Sequence, residues 1–140
     1  MKVLFDTNVI VDALTERDVS YKPSRNLLRF VATGEVKGYI TAKQITDFYY
    51  IVRKYFATEA QRRAIIRTIF ELFEIIPTTK SDIAYCLNSN TQDLEDALLD
   101  EVCSVNCIDY LVTNNTKHFE KSKSIIFTPE QILKLIDVDK

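Results

Sequence analysis

Lys2-Val3-Leu4-Phe5-Asp6-Thr7-Asn8 decides the fold of this chain: a short apolar run stops at an acid followed by two polar side chains. A run this short, apolar on successive rather than alternate positions, suits a strand buried on both faces, as in the middle of a parallel sheet. Comparable runs recur at Gly38-Tyr39-Ile40, Phe73-Glu74-Ile75-Ile76, Ile108-Asp109-Tyr110-Leu111-Val112 and Ser124-Ile125-Ile126-Phe127, each bounded by Pro, Asn, Thr or Gly. Between them, apolar spacing predicts helices over Ser24–Thr33, Ala42–Tyr55, Glu59–Phe73, Ser81–Ser89 and Leu94–Val105. Thr128-Pro129-Glu130 opens a last helix, with threonine as cap and proline at its first position. Strands alternating with helices predict right-handed crossovers. The expected class is therefore α/β, a three-layer α/β/α sandwich around a mainly parallel sheet of four to five strands.

The composition agrees with one globular domain over residues 1–140. Of 140 residues 46% are hydrophobic and 27% charged, which excludes a disordered chain, and two glycines, three prolines and no repeat leave no linker. A chain of this size buries about two thirds of its unfolded surface, so a metal site here serves function rather than folding. No apolar run reaches the roughly 18 residues of a membrane span, and MKVLFD meets an acid too early for a signal peptide, so a cytoplasmic protein with no membrane partner is expected. Cys86, Cys103 and Cys107 are an odd number and read as reduced thiols. Cys103 and Cys107 share a helical face, but without a second thiol or a histidine pair nearby they read as small core residues rather than metal ligands. The net charge of −2 gives no global case for nucleic acid, yet the charge is sorted: residues 1–70 hold 12 Lys/Arg and 7 Asp/Glu, residues 71–140 hold 6 and 13.

In open parallel sheets ligands bind beyond the carboxyl ends of the strands, so polar residues there are the ones to collect. Asp6 is one, although alone it reads more readily as the cap of the next helix. Asp93, Asp96 and Asp100, spaced by three and four, share a helix face, where like charges cost a few tenths of a kcal/mol unless a divalent ion offsets them. A first turn made acidic by the helix dipole accounts for Asp93 and Asp96, and less well for Asp100. Asp47 stands among Ile45, Phe48, Tyr49, Ile51, Val52 and Tyr55, so it has either a solvent face or a task. Thr113, Asn114, Asn115 and His118 follow another strand run. Arg53, Lys54, Arg62, Arg63 and Arg67, offset only by Glu59, read either as an exposed polar face or as contacts for a nucleic-acid backbone, with Tyr49, Tyr50 and Tyr55 near enough to stack on bases.

Val3-Leu4-Phe5-Asp6-Thr7-Asn8, Thr41-Ala42-Lys43-Gln44-Ile45-Thr46-Asp47, Asp93-Leu94-Glu95-Asp96-Ala97-Leu98 and Asp109-Tyr110-Leu111-Val112-Thr113-Asn114-Asn115-Thr116-Lys117-His118-Phe119 together resemble the PIN domain, in order and spacing across nearly the whole chain. The likeness is to the small bacterial PIN proteins, which include VapC-type toxins. It implies a ribonuclease dependent on Mg²⁺ or Mn²⁺, with catalytic and metal-binding residues at Asp6, Asp47 and Asp96. Asn8 matches a polar residue supporting the first aspartate and Thr113 a hydroxyl beside the metal pocket; Asp93 and Asp100 are supporting candidates by helical position. Asn115 and His118 stand where the family carries its fourth acid, and they add ligand atoms but no negative charge. One or two metal ions bridged by Asp6 and Asp96 lower the pKa of a bound water that attacks the phosphate, with Asp47 completing the metal shell or holding the water and Thr113 and Asn115 orienting ligands. The implied partners are an RNA substrate, an antitoxin protein whose acidic segment could use the same arginines, and a second copy in a homodimer.

Two kinds of rival remain. A phosphatase using Asp6 as nucleophile wants a second aspartate where this chain has Asn8, and a phosphoacceptor receiver wants a lysine better placed than Lys117. The other is a PIN-like module, catalytically weak or inactive, that binds RNA or a partner protein.

Overall fold

Val3, Leu4 and Phe5 are fully buried in the computed structural model, which describes residues 1–17, 21–88 and 93–138. A strand apolar on successive residues has no face to give to water, so β1 (Lys2–Phe5) takes the centre of the sheet. It is flanked by β2 (Lys37–Thr41) and β4 (Tyr110–Val112), with β3 (Glu74–Ile76) beyond β2 and β5 (Ile126–Phe127) beyond β4. All four pairings are parallel, with Val3 opposite Gly38 on one side and Tyr110 on the other. The expected parallel sheet is thus present with five strands.

The helices are α1 (Thr7–Thr15), α2 (Tyr21–Thr33), α3 (Ala42–Val52), α4 (Glu59–Leu72), α5 (Lys80–Leu87), α6 (Leu94–Val105) and α7 (Pro129–Val138), with a 3₁₀ turn at Thr116–Phe119. Reciprocal caps start α3, α4 and α5: Thr41 with Gln44, Thr58 with Gln61, and Thr79 with Asp82. α3 stops before the expected Tyr55, and α4 ends at Leu72 because Phe73 turns extended to enter β3. The expected end of α5 at Ser89 lies outside the described residues.

Alternation along β1 separates two cores. Val3 and Phe5 pack with Val9, Ile10, Leu27, Phe48, Ile69 and Ile132, so α1 to α4 and α7 cover one face. Leu4 and Leu111 pack with Leu99, Val102 and Cys103 of α6 on the other, with α5 laid along α6. The three-layer α/β/α sandwich follows. Gly38 is where the first core closes: a Cβ there would lie 2.8 Å from ring carbons of Phe73, whose ring meets Phe5 edge-on at 5.0 Å between centroids.

All three cysteines are free thiols, and one corrects expectation: Cys86 and Cys103 are buried, whereas Cys107 is exposed just past α6 at φ 54°. Its place beyond the helix end takes it off the face it was expected to share with Cys103. Among the described residues no helix is long and apolar enough to cross a membrane.

Because the chain leaves β1 to build β2 and β3 on one side and returns to add β4 and β5 on the other, a crevice opens beyond the carboxyl ends of the central strands.

Candidate active site

Asp6 follows β1 directly, and its carboxylate is held from two sides. Oδ1 accepts from the Thr7 backbone N–H at 2.8 Å, which makes Asp6 the cap of α1, while Oδ2 accepts from the Thr113 hydroxyl at 2.8 Å. Cap and site are the same side chain. Thr113 is fully buried just past β4 and also accepts from the Asn115 N–H at 3.0 Å, so its one proton is committed to Asp6. Burial raises the Asp6 carboxyl above its ordinary value, and the hydrogen bonds from Thr113 and Thr7 oppose that rise. Asn8 supports the same corner: its Oδ1 accepts the Asn114 N–H at 3.2 Å, tying α1 to the chain after β4.

Asp96 approaches from the other layer. Asp93 caps α6, accepting from the N–H groups of Glu95 at 2.9 Å and Asp96 at 3.4 Å. This aims the first turn of α6 at the crevice. Burial, then the neighbouring charges of Asp6 and Asp93, push the Asp96 carboxyl up to about 6, with His118 acting in the opposite sense. The His118 ring faces it, Nδ1 standing 4.0 Å from Asp96 Oδ2, while Nε2 lies 3.0 Å from the Asn115 amide nitrogen. With Asn115 donating to Nε2, a neutral ring carries its proton on Nδ1, toward Asp96.

Asp6, Asp47 and Asp96 all line one cleft of about 320 Å³, together with Thr41, Lys43, Gln44, Tyr50, Thr78 and Glu95. The three are not equivalent. The Asp47 carboxylate is drawn to Lys43 four residues earlier, at 2.9 Å, and Lys43 also donates to Glu95 at 2.5 Å. Among the described residues no three Asp, Glu, His or Cys side chains stand close enough to hold one ion. The Asp47 carboxylate, expected beside a metal with Asp6 and Asp96, is paired here with the Lys43 ammonium. Burial works against the Lys43 charge, and the bonds to Glu95 and Asp47 more than restore it.

Asp6 and Asp96 still fit a hard divalent cation. Their donors are carboxylate oxygens, the surrounding acids penalise a bare charge on Asp96, and Mg²⁺ is commonly held by only one or two carboxylates with water and substrate oxygens making up its shell. Asp100 does not join them. It is buried and accepts from the backbone N–H groups of Lys123 at 3.1 Å and Ser124 at 3.0 Å, and from the Ser124 hydroxyl at 2.5 Å. One turn of helix, about 5.4 Å along the axis, carries it past the crevice to the chain entering β5.

Two residues that shape the site carry no readable sign of it in the sequence. Gln44 completes the cap of α3, a local pattern, but its Nε2 also donates to the Phe5 carbonyl at 2.8 Å and the Thr7 hydroxyl at 3.2 Å, bracing the end of β1. Asn114 donates to buried Asp12 at 2.7 Å and to Ser24 at 3.2 Å, joining α1 and α2 behind Asn8. Both contacts span long stretches of chain, which no local spacing reveals.

The basic residues divide. Arg53, Arg63 and Arg67 line a groove of about 670 Å³ between α3 and α4 with Tyr49, Tyr50, Ile66 and Phe70, and Tyr50 borders the acidic cleft as well. Arg62 instead donates to the Phe56 and Ala57 carbonyls, and Lys54 is exposed outside the groove lining. Glu59 offsets the cluster, accepting from Arg63 at 2.9 Å and from the Tyr49 hydroxyl at 2.6 Å. Phe48 and Val52 of α3 belong to the core, leaving Tyr50 exposed on the helix and Tyr55 exposed just past its end.

Known proteins are similar to this chain. Ribonuclease VapC1 of Aquifex aeolicus is 26% identical over 134 residues, covering 92% of each chain. VapBC2 of Rickettsia felis, solved bound to a DNA fragment from its promoter, superposes with a TM-score of 0.68 at 21% identity, over 91% of this chain and 98% of the other. A toxin-antitoxin complex from Klebsiella pneumoniae gives 0.66 at 22% identity, over 91% and 97%. At those identities the two structures speak for the fold alone. The PIN domain family model, however, matches residues 2–117, which takes in β1 with Asp6, α3 with Asp47, α6 with Asp96 and β4 with Thr113, and on that match the chain belongs to the PIN domain family.

Proposed function

We propose that this chain is an endoribonuclease dependent on Mg²⁺ or Mn²⁺, and the toxin of a toxin-antitoxin pair. The observation that carries the reading is that Asp6 and Asp96, brought in by different layers of the sandwich, line one cleft where burial, and then neighbouring acids, hold Asp96 at about 6. Carboxylates forced together against their own repulsion are what a divalent ion relieves, and a perturbed pair in a cleft marks a functional site rather than a structural one.

A divalent ion on Asp6 and Asp96, when bound, lowers the pKa of a water and offsets charge on the scissile phosphate. Thr113 fixes the Asp6 carboxylate by its committed hydroxyl, and Asn115 fixes Thr113 through its N–H. His118 presents a proton toward Asp96 at the rim, where it stabilises the ionised carboxylate. Arg53, Arg63 and Arg67 in the adjoining groove attract the RNA backbone, and exposed Tyr50, bordering both cavities, offers a face on which an unpaired base stacks. VapC1 supports the ribonuclease reading by its name and by 26% identity over nearly all of both chains, and the toxin-antitoxin neighbours support an antitoxin partner. A homodimer and a cytoplasmic location belong to the same reading; exposed Tyr85 and Leu87 on α5 are consistent with a partner surface, and light scattering checks the dimer.

The test is cleavage of a structured RNA pool by purified protein with Mg²⁺, Mn²⁺ or chelator, beside Asp96→Asn prepared identically. Metal-dependent cleavage lost in the variant is the expected result. Cleavage equal in both, or absent with every metal, leaves a module that binds RNA or a protein without cutting.

A further inference from the structure

We propose that Lys43 is the second cation of this centre: its ammonium, held between Asp47 and Glu95, takes the place of a second divalent ion, so that the cleft binds a single metal ion on Asp6 and Asp96. The inference rests on the metallonuclease reading above and concerns how its charge is completed.

The geometry is that of a bridging cation. Lys43 Nζ lies 2.9 Å from Asp47 Oδ2 and 2.5 Å from Glu95 Oε1, so one ammonium joins α3 to α6 across the mouth of the cleft that Asp6 and Asp96 line. Local physics gives no reason for a lysine at this position. Lys43 sits in the first turn of α3, where the helix dipole disfavours a cation, and its partner Asp47 follows at i+4, the weaker order for a helical ion pair. The carboxylates of the opposite layer supply the reason.

Charge balance carries the rest. Asp6, Asp47, Glu95 and Asp96 line the cleft, and Lys43 is the one lysine or arginine among its lining residues. One divalent ion and the ammonium together leave a single net negative charge on those groups. Without the ammonium, the same ion leaves Asp47 and Glu95 facing each other uncompensated, a hard-oxygen pair open to a second ion. On the opposite wall Asn115 and His118 contribute no negative charge to hold one.

The test is Mn²⁺ titration of the full chain by calorimetry, with electron paramagnetic resonance to detect coupling between neighbouring ions, on wild type, Lys43→Met, Lys43→Arg and Lys43→Met/Asp47→Asn. Wild type and Lys43→Arg are expected to take up about one ion per chain, Lys43→Met about two with coupled spectra, and the double variant about one again, since Asp47 is a ligand of the added site. The Lys43 side chain is 43% exposed and the Thr41–Gln44 cap does not use it, so Lys43→Met keeps the fold, which thermal melts verify. RNA cleavage by Lys43→Met is expected to fall about tenfold at low Mn²⁺ and to recover at high Mn²⁺, as the second ion replaces the lost charge. Two ions in wild type, one in Lys43→Met, or two in the double variant overturn the role of Lys43 alone. No Mn²⁺ uptake by wild type, with no cleavage, overturns the metallonuclease reading and this inference with it.

Discussion

Asp96 and Asp100 lie one turn apart on α6, carry the same side chain and are both largely withdrawn from water, yet their surroundings are opposite. Asp100 receives two backbone N–H groups and a hydroxyl from Lys123 and Ser124, so its charge is matched by fixed donors. Asp96 faces other acids, and its partner of opposite tendency is the His118 ring at 4.0 Å. A hydrogen-bonded carboxylate holds chain in place; a carboxylate crowded by its own kind stores a repulsion that an incoming cation releases. The same residue type on one helix face thus serves the fold in one turn and chemistry in the next, and local consistency breaks where function is expected.

The largest effect should separate the two turns outright. Asp96→Asn is expected to lower metal-dependent RNA cleavage by about 10³-fold, comparable to removing a principal electrostatic contact from an active site. The same change should raise the melting temperature of the metal-free protein at pH 7.5 by a few degrees, because it removes a charge the fold penalises. A calorimetric scan that showed metal-free Asp96→Asn melting below wild type would break the contrast, since Asp96 would then be structural as Asp100 is.

Asp100→Ala tests the other turn. It leaves the backbone N–H groups of Lys123 and Ser124 without their carboxylate acceptor in a part-buried place, and the Ser124 hydroxyl with only the Asp100 carbonyl, at a cost of about 2 kcal/mol in urea unfolding. Mn²⁺ affinity of the folded variant should stay at the wild-type value. If affinity falls together with stability, the two turns are coupled through the helix and Asp100 regains the supporting role that its spacing suggested.

That spacing shows how far the sequence could be read. Five short apolar runs and the helices between them gave the sandwich because each depends on neighbours within a few residues: periodicity, capping threonines and the proline that opens α7. Asp6, Asp96 and Thr113 were legible for a related reason, since the ends of parallel strands are where ligands bind, and the four matching segments located the rest. Asp100 misled because a period of three and four gives a face but not where that face points one turn on. Lys43 and Gln44 were passed over, and Asn114 was collected without its role, because their decisive contacts are with Glu95, Phe5 and Asp12, residues distant in sequence. The basic cluster was readable only as charge: its arginines part company once Arg62 folds back on its own backbone.

Thr113 offers a finer comparison, between holding a ligand and being one. Thr113→Val keeps the buried shape but removes the proton given to Asp6, and should weaken Mn²⁺ binding about 10- to 100-fold; Thr113→Ser should restore most of it. Equal losses in valine and serine variants would assign the effect to packing of the methyl group rather than to the hydrogen bond.

The smallest effect is in pH, and its sign follows from Asp96. Its carboxyl stands at about 6 in the fold against an ordinary 3.8, so the folded state binds this proton more tightly than the unfolded chain does. The resulting penalty on the metal-free protein is complete above about pH 6, shrinks as the pH falls toward 4, and vanishes only below the ordinary 3.8, where the group is protonated in both states. Asp96→Asn has no such proton to gain. The melting-temperature advantage of the variant should therefore be largest at pH 7 and close steadily between pH 6 and pH 4, and Mn²⁺ should abolish it at neutral pH by stabilising wild type alone. A gap between variant and wild type that stays constant from pH 7 to pH 4 would mean that the carboxylate of Asp96 is not the strained group, and that the contrast between the two turns of α6 lies in packing rather than in charge.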